Sequence, residues 1–302
     1  VVDAFALIWL LVAVGVLARR ASLLDAPAER ALNRFVFHLA MPAALLPRVA
    51  ASGVDAGTFG AALACTAAAV AVGLAGYWAS GRLAGRGTGG RTVAGMAAGY
   101  VNSANLGIPV ALHVLGGTTL VVAVVAVQVL VLTPVILAVL DHAAGDGRVR
   151  WRRLATLPLR NPIIIACAAG AVLGYAGWEL PALAGTFLDT LGAAAVPAAL
   201  VALGLSLVAP APPGAADRRE LAAVAALKLV AHPVLTYALA RYALHLPPPD
   251  VRAAVVFAAL PTAQVTYVFA AEHATAVHLA GRAVAVTTAA AMLTVWLAAL
   301  LV

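Results

Sequence analysis

Asn102-Ser103-Ala104-Asn105-Leu106-Gly107-Ile108-Pro109 stands in the middle of an apolar segment that runs from about Val93 to Leu115. An apolar run of that length must be helical in a membrane, because lipid offers no partner for a free N–H or C=O. Here a proline removes one backbone donor, a glycine precedes it by two residues, and two asparagines bring side-chain amides to the same depth. Such a break is tolerated only where protein or a water-filled cavity receives the freed groups. Ala259-Leu260-Pro261-Thr262-Ala263-Gln264 repeats the feature about half a chain later. Paired interruptions at corresponding places in two halves point to the binding site of a transporter.

Composition sets the class. Of the 302 residues, 64% are hydrophobic and 10% charged, with a mean hydropathy of +1.02. A soluble domain carries roughly half and a quarter respectively, so the chain is an integral membrane protein with room for about ten spans of roughly 20 residues. The net charge of +7 does not signal nucleic acid, since the basic residues sit between apolar segments, where they set orientation. Cys65 and Cys167 lie inside apolar runs without metal-ligand spacing and read as buried thiols. Residues 1–18 carry Asp3 and no basic leader, and Arg19-Arg20 follows the apolar run, so a retained first helix is expected rather than a signal peptide.

Apolar runs fall at about 4–18, 32–51, 58–80, 93–115, 118–140, 162–178, 183–208, 221–243, 251–272 and 279–302. The segments that follow runs 1, 3, 5, 7 and 9 carry fifteen arginines, against three (Arg48, Arg241 and Arg252) on the other side. By the positive-inside bias both termini are expected outside the cytoplasm, in a multi-pass protein of the cell inner (plasma) membrane. Met41-Pro42-Ala43-Ala44-Leu45-Leu46 recurs as Val196-Pro197-Ala198-Ala199-Leu200-Val201, 155 residues on, and Pro109 and Pro261 are 152 apart. Nearly equal offsets mark two five-helix halves, 1–140 and 161–302, joined by a cytoplasmic linker at 141–160. Five is odd, so the halves enter the membrane from opposite sides. The expected fold is an all-α polytopic membrane protein of ten transmembrane helices, a 5+5 inverted repeat with broken, crossing helices 4 and 9.

Candidate site residues follow from the breaks. Where helices unwind, the half-helix N-termini present free N–H groups and the positive ends of their dipoles, which suits a carboxylate. Gly107, Pro109 and Pro261 would shape the break, and Asn102, Asn105, Thr262 and Gln264 supply donors or acceptors. The bland alternative is that both prolines merely kink ordinary helices, with the polar side chains capping freed backbone groups. Lys228, the only lysine, lies four residues before His232 in an apolar run, which puts both on one helix face. It either snorkels toward the cytoplasmic end of its span or serves an anion or proton, while His232, beside Pro233, reads as structural. His38 is expected as a hydrogen-bonded interior residue, and His113 and Gln128 are open cases. Gly85-x-x-x-x-Gly90-Arg91-Thr92 lacks the lysine and the preceding strand of a phosphate loop and reads as a turn. Glu272-His273 and His278 miss the zinc-protease spacing, so no metal or cofactor is expected.

Five motifs in order also carry a family resemblance. Asn102-Ser103-x-x-x-Gly107-Ile108-Pro109 resembles the Asn-Thr-x-x-x-Gly-Ile-Pro run of auxin efflux carriers. Ala259-Leu260-Pro261 with Val268-Phe269-Ala270-x-Glu272, Asn161-Pro162, Leu203-Gly204-x-x-Leu207 and Lys228-x-x-x-x-Pro233 are similar to later spans of that family. The resemblance covers essentially the whole chain. It implies a scaffold of spans 1, 2, 6 and 7 and a moving transport domain of spans 3–5 and 8–10, with Asn102 at the substrate carboxylate. The short linker is that of a bacterial member, and bacterial relatives are linked to malate- or malonate-like dicarboxylates. The function implied is a secondary carrier of a small organic anion by alternating access of elevator type. Its coupling ion would be H+ or Na+, its surroundings the lipid bilayer, and its assembly is compatible with a homodimer. A sodium-coupled symporter of the bile-acid-transporter type is the alternative, with a channel or an intramembrane enzyme as minor readings. The enzyme reading lacks a Gly-x-Ser-x-Gly, an Asp-rich motif or metal spacing in the sequence.

Overall fold

The computed structural model describes residues 2–51, 56–115, 117, 119–144, 161–208 and 218–301; most of the expected linker at 141–160 lies outside them. Every element among the described residues is helical, with one isolated antiparallel bridge between Val101 and Thr262. In chain order the helices are α1 (Val2–Arg20), α2 (26–51), α3 (Ala56–Ala84), α4 (Thr88–Gly99), α5 (103–115) and α6 (Thr119–Ala143). Then follow α7 (Pro162–Ala176), α8 (Ala182–Leu207), α9 (Arg218–Ala243), α10 (Pro248–Ala258), α11 (Val265–Glu272) and α12 (Val277–Leu301). By length and apolarity α3, α6, α8 and α9 can each cross a membrane, and α12 makes a fifth if its two bent parts form one span.

Local sequence explains the helix ends. The Asp25 carboxylate accepts the Ala28 N–H at 2.9 Å, with a proline in the first turn of α2, where a missing donor costs nothing. Asn161 caps α7 in the same way, accepting from Ile163 (3.0 Å) and Ile164 (3.3 Å), and Gly177 ends that helix in the left-handed conformation. Inside the helices four widened π-turns, 36–40, 103–107, 128–132 and 227–231, each end two residues before a proline: Pro42, Pro109, Pro134 and Pro233. A proline ring clashes with the carbonyl four residues back, and widening the turn there relieves the clash without ending the helix.

The chain divides into two compact units, each drawing on both sequence halves. The first comprises residues 1–55, 104–125 and 156–209; the second comprises 56–103, 126–155 and 210–302. Residues 104–125, expected among the moving spans, group with the first unit.

In the first unit, helices meet through small residues, as they do where lipid gives no hydrophobic drive between helices. A Cβ on Gly15 of α1 would strike the Val201 carbonyl of α8, and one on Gly170 of α7 would lie 2.5 Å from the Leu46 carbonyl of α2. These two contacts are images of each other, since 15 and 170 differ by 155, as do 46 and 201. The second unit packs α4 on α3 by the same device: a Cβ on Gly95 would lie 2.6 Å from the Gly73 carbonyl, and one on Gly99 would strike that of Ala69. Ala94, Ala97 and Ala98 of α4 then pack with Val224 of α9 and Leu279 and Ala283 of α12. The close approach holds α4 so that its C-terminal end is buried inside this unit.

Candidate functional site

Gly99 ends α4, and Tyr100 turns into extended backbone (φ −82°, ψ 114°) while its N–H still donates to Met96 at 2.8 Å. The chain is non-helical through Asn102 and resumes helix at Ser103. A matching interval separates α10 from α11. The two extended stretches satisfy each other: the Asn102 N–H donates to the Pro261 carbonyl at 2.9 Å, and the Ala263 N–H donates to the Tyr100 carbonyl at 3.0 Å. Pro261 itself brings no N–H, so only its carbonyl needed a partner.

Side chains complete the accounting. Thr262 is fully buried; its hydroxyl donates to the Ala97 carbonyl at 2.6 Å in the last turn of α4. Its own N–H donates to Thr287 Oγ1 of α12 at 3.1 Å. Gln128, in the widened turn of α6, donates through Nε2 to the Val101 carbonyl at 3.0 Å and accepts from Ser103 Oγ at 2.5 Å. The Tyr100 hydroxyl shares a hydrogen bond with Thr133 at 2.8 Å. Asn102, Ser103 and Gln128 are all buried with Thr262. The result is a neutral, hydrogen-bonding surface of amides and hydroxyls around two unwound backbones. Among the described residues no group of His, Cys, Asp and Glu could hold a metal ion, and the side chains named in this network include neither a carboxylate nor a nucleophile with a base.

A charged residue, Lys228, reaches the edge of this network. The snorkelling expectation fails: Lys228 is completely buried, and Nζ donates to the Ala258 carbonyl at 2.9 Å. Ala258 is the last residue of α10, so the ammonium sits at the negative end of that helix, just before the interruption. Nζ also donates to His232 Nδ1 at 2.8 Å. That contact leaves the imidazole proton on Nε2, which donates to the Cys65 carbonyl of α3 at 3.1 Å. His232 is thus held between the Lys228 ammonium and the Cys65 carbonyl.

The remaining sequence candidates are distributed differently. Pro261 and Thr262 lie in the paired strands with Asn102. Gln264 is half-buried at the first turn of α11. The Asn105 side chain lies outside the described residues. Gly107 and Pro109 are buried in α5, in the first unit, and are helical; the backbone leaves the helix at Tyr100–Asn102, not at Pro109. The physical reason is the widened turn at 103–107, which relieves the clash of the Pro109 ring with the preceding carbonyls without ending the helix. His38, expected inside, is exposed, and its Nδ1 bonds the Arg34 carbonyl of its own turn at 3.0 Å. Sequence reasoning missed Thr287, whose role depends on the packing of α12, and the Arg86–Glu220 pair. There the guanidinium meets a fully buried carboxylate at 2.6 Å and 2.7 Å, and Ser80 donates to that carboxylate at 2.6 Å. It weighed His273 only for zinc spacing and missed its bond to the buried Asp141 at 3.1 Å.

Two comparisons bear on this geometry. The family model described as "Membrane transport protein" matches twice, over residues 1–149 and 148–298. A protein of Rhizobium meliloti (strain 1021) named "Putative malonate transporter" is 29% identical over 283 residues, covering 91% of this chain and 88% of that protein.

Proposed function

We propose, from the premise that the chain belongs to the membrane transport protein family, that of the auxin efflux carriers, that it is a secondary carrier of a small organic anion. It works by alternating access, one body of helices shifting against the other around the paired interruptions. The observation that carries this reading is the backbone pairing of Asn102 with Pro261 and of Tyr100 with Ala263. Membrane-embedded backbone leaves a helix only for a reason, and here both departures meet each other.

Counting α4–α5 and α10–α11 as one interrupted crossing each gives ten crossings, five in each match of the family model. The exchanged contacts Gly15–Val201 and Gly170–Leu46 support an inverted repeat, because a two-fold relation carries one pair into the other. The arginine asymmetry supports an inner-membrane orientation with both termini outside the cytoplasm. On this reading the first turn of α11, which begins just after the pairing, offers N–H groups to a carboxylate. Asn102 and Gln264 add their side-chain amides. The relative's printed name makes malonate the first substrate to test.

Purified protein in liposomes should exchange labelled malonate, or a related carboxylate, with imposed pH and sodium gradients separating proton from sodium coupling. Asn102→Ala should lower the rate at least several-fold with membrane insertion intact. Wild-type flux from correctly inserted Asn102→Ala protein would remove Asn102 from the site, and a flux far above carrier turnover would identify a channel.

A further inference from the structure

A separate cavity of about 890 Å³ lies wholly within the first unit. Its walls are largely apolar, with Leu7 and Leu11 from α1, Leu112 from α5 and Val196 from α8. Two basic side chains line it as well, Arg48 near the end of α2 and His113 in α5. Arg48 Nη1 donates to the Ala44 carbonyl one turn back, at 2.5 Å, which fixes one edge of the guanidinium on its own helix. The rest of the guanidinium has no hydrogen-bond partner among the described residues, and Arg48 is exposed. His113 faces the Pro109 carbonyl through Nδ1 at 3.1 Å, so Nδ1 carries a proton and Nε2 is left over. None of the described lining residues is a carboxylate.

We infer that this cavity binds an organic anion made of a carboxylate head and an apolar body of several carbons. The free edge of a guanidinium is a planar fork that matches the two oxygens of a carboxylate. The volume falls within the range of small-ligand pockets, roughly 300–1,000 Å³, and exceeds what a bare three-carbon dianion fills. The leucines and Val196 gain from covering an apolar body and gain nothing from a second charge. Arg48 also stands on the arginine-poor side of the sequence, the side expected to face away from the cytoplasm. The cavity is therefore a loading site with its own residues, distinct from those of the Asn102–Thr262 pairing. It rests on the reading of the chain as an organic-anion carrier, and it adds a determinant of which anions are taken.

Equilibrium binding to the purified full chain in detergent tests it apart from transport, with labelled benzoate as probe and acetate and malonate as competitors. Benzoate should bind saturably and be displaced by unlabelled benzoate at concentrations at least tenfold below those needed for acetate or malonate. Arg48→Gln should weaken it at least tenfold, Arg48→Lys should recover part of that loss, and His113→Gln should weaken it a few-fold. In liposomes Arg48→Gln should raise KM for the transported anion while leaving kcat within about twofold. Absence of saturable benzoate binding, tighter binding of malonate than benzoate, or an unaltered Arg48→Gln protein would each overturn the site. Arg48-dependent binding in a protein that moves no anion would instead overturn the carrier reading and leave the site standing.

Discussion

Replacing Thr262 by valine keeps the shape of the side chain and deletes one hydroxyl. That hydroxyl donates to the Ala97 carbonyl at 2.6 Å, and Thr262 is fully buried, so no water can take its place. Ala97 lies in the last turn of α4, where carbonyls have no intrahelical donor because the helix stops at Gly99. A neutral hydrogen bond is worth about 0.5–1.5 kcal/mol net, but an acceptor left buried and unpaired costs about 1–3 kcal/mol. The second figure governs here, and a loss of about 2 kcal/mol is expected. Thr287→Val should cost a similar amount for the mirror reason, since it strands the Thr262 N–H that now reaches Thr287 Oγ1 at 3.1 Å. Thr288→Val is the internal control. It is one residue further along the same helix and equally buried, but its hydroxyl has no partner among the described residues. Removing an unpaired buried hydroxyl should be neutral or stabilising. Reversible unfolding in mixed micelles, followed by tryptophan fluorescence, gives the three free energies. A Thr262→Val protein within about 0.5 kcal/mol of wild type, or a Thr288→Val protein as weakened as the other two, would refute the hydrogen-bond accounting on which the site rests.

Lys228 and His232 allow a ranking rather than a single value. Lys228→Met strands the Ala258 carbonyl and His232 Nδ1 but also removes a buried charge, whereas His232→Leu leaves the ammonium in place with one acceptor fewer. Because an uncompensated buried charge costs about 3–5 kcal/mol, His232→Leu should unfold more easily than Lys228→Met, and the reverse order in the same unfolding assay would show that the ammonium is not charged in the fold. Arg86→Gln should cost about 3 kcal/mol, the low end of that range because Arg86 keeps 26% of its side-chain surface exposed while Glu220 keeps 1%. Adding Glu220→Gln should return most of it; a double variant no better than the single would show that the pair contributes by shape rather than charge.

Much of the architecture could be read from residue order because it depends on local rules. Asn161-Pro162 announced a helix start, and Asn161 caps α7 through two N–H groups. The 155-residue offset seen in Met-Pro-Ala-Ala-Leu-Leu reappears in the contacts of Gly15 and Gly170, since a repeated sequence packs by repeated contacts. Proline positions misled where tertiary partners decided the outcome. Pro109 looked like the breaking residue, yet the helix gives way at Tyr100–Asn102, because partners for the freed groups exist there: Pro261, Gln128 and Thr262 are all in reach. For a related reason sequence alone left two readings of Lys228 open, of which burial removes snorkelling. Its ligands, the end of α10 and a histidine one turn away, are on different helices, and only the second was visible as a four-residue spacing.

The same accounting explains why the two interruptions come as a pair. A single unwound stretch in a helix buried from water would leave donors and acceptors each costing several kcal/mol. Val101 and Thr262 remove most of that cost by bridging, but each does so only if the other is also unwound. Neither half could have acquired its break alone without a cost that approaches the whole stability of a domain. The pairing has a mechanical consequence as well. Asn102 is tied through its backbone to Pro261, and Thr262 through its hydroxyl to Ala97, so each side chain is held by the opposite interrupted helix. Displacing either helix must then carry the polar groups of both together.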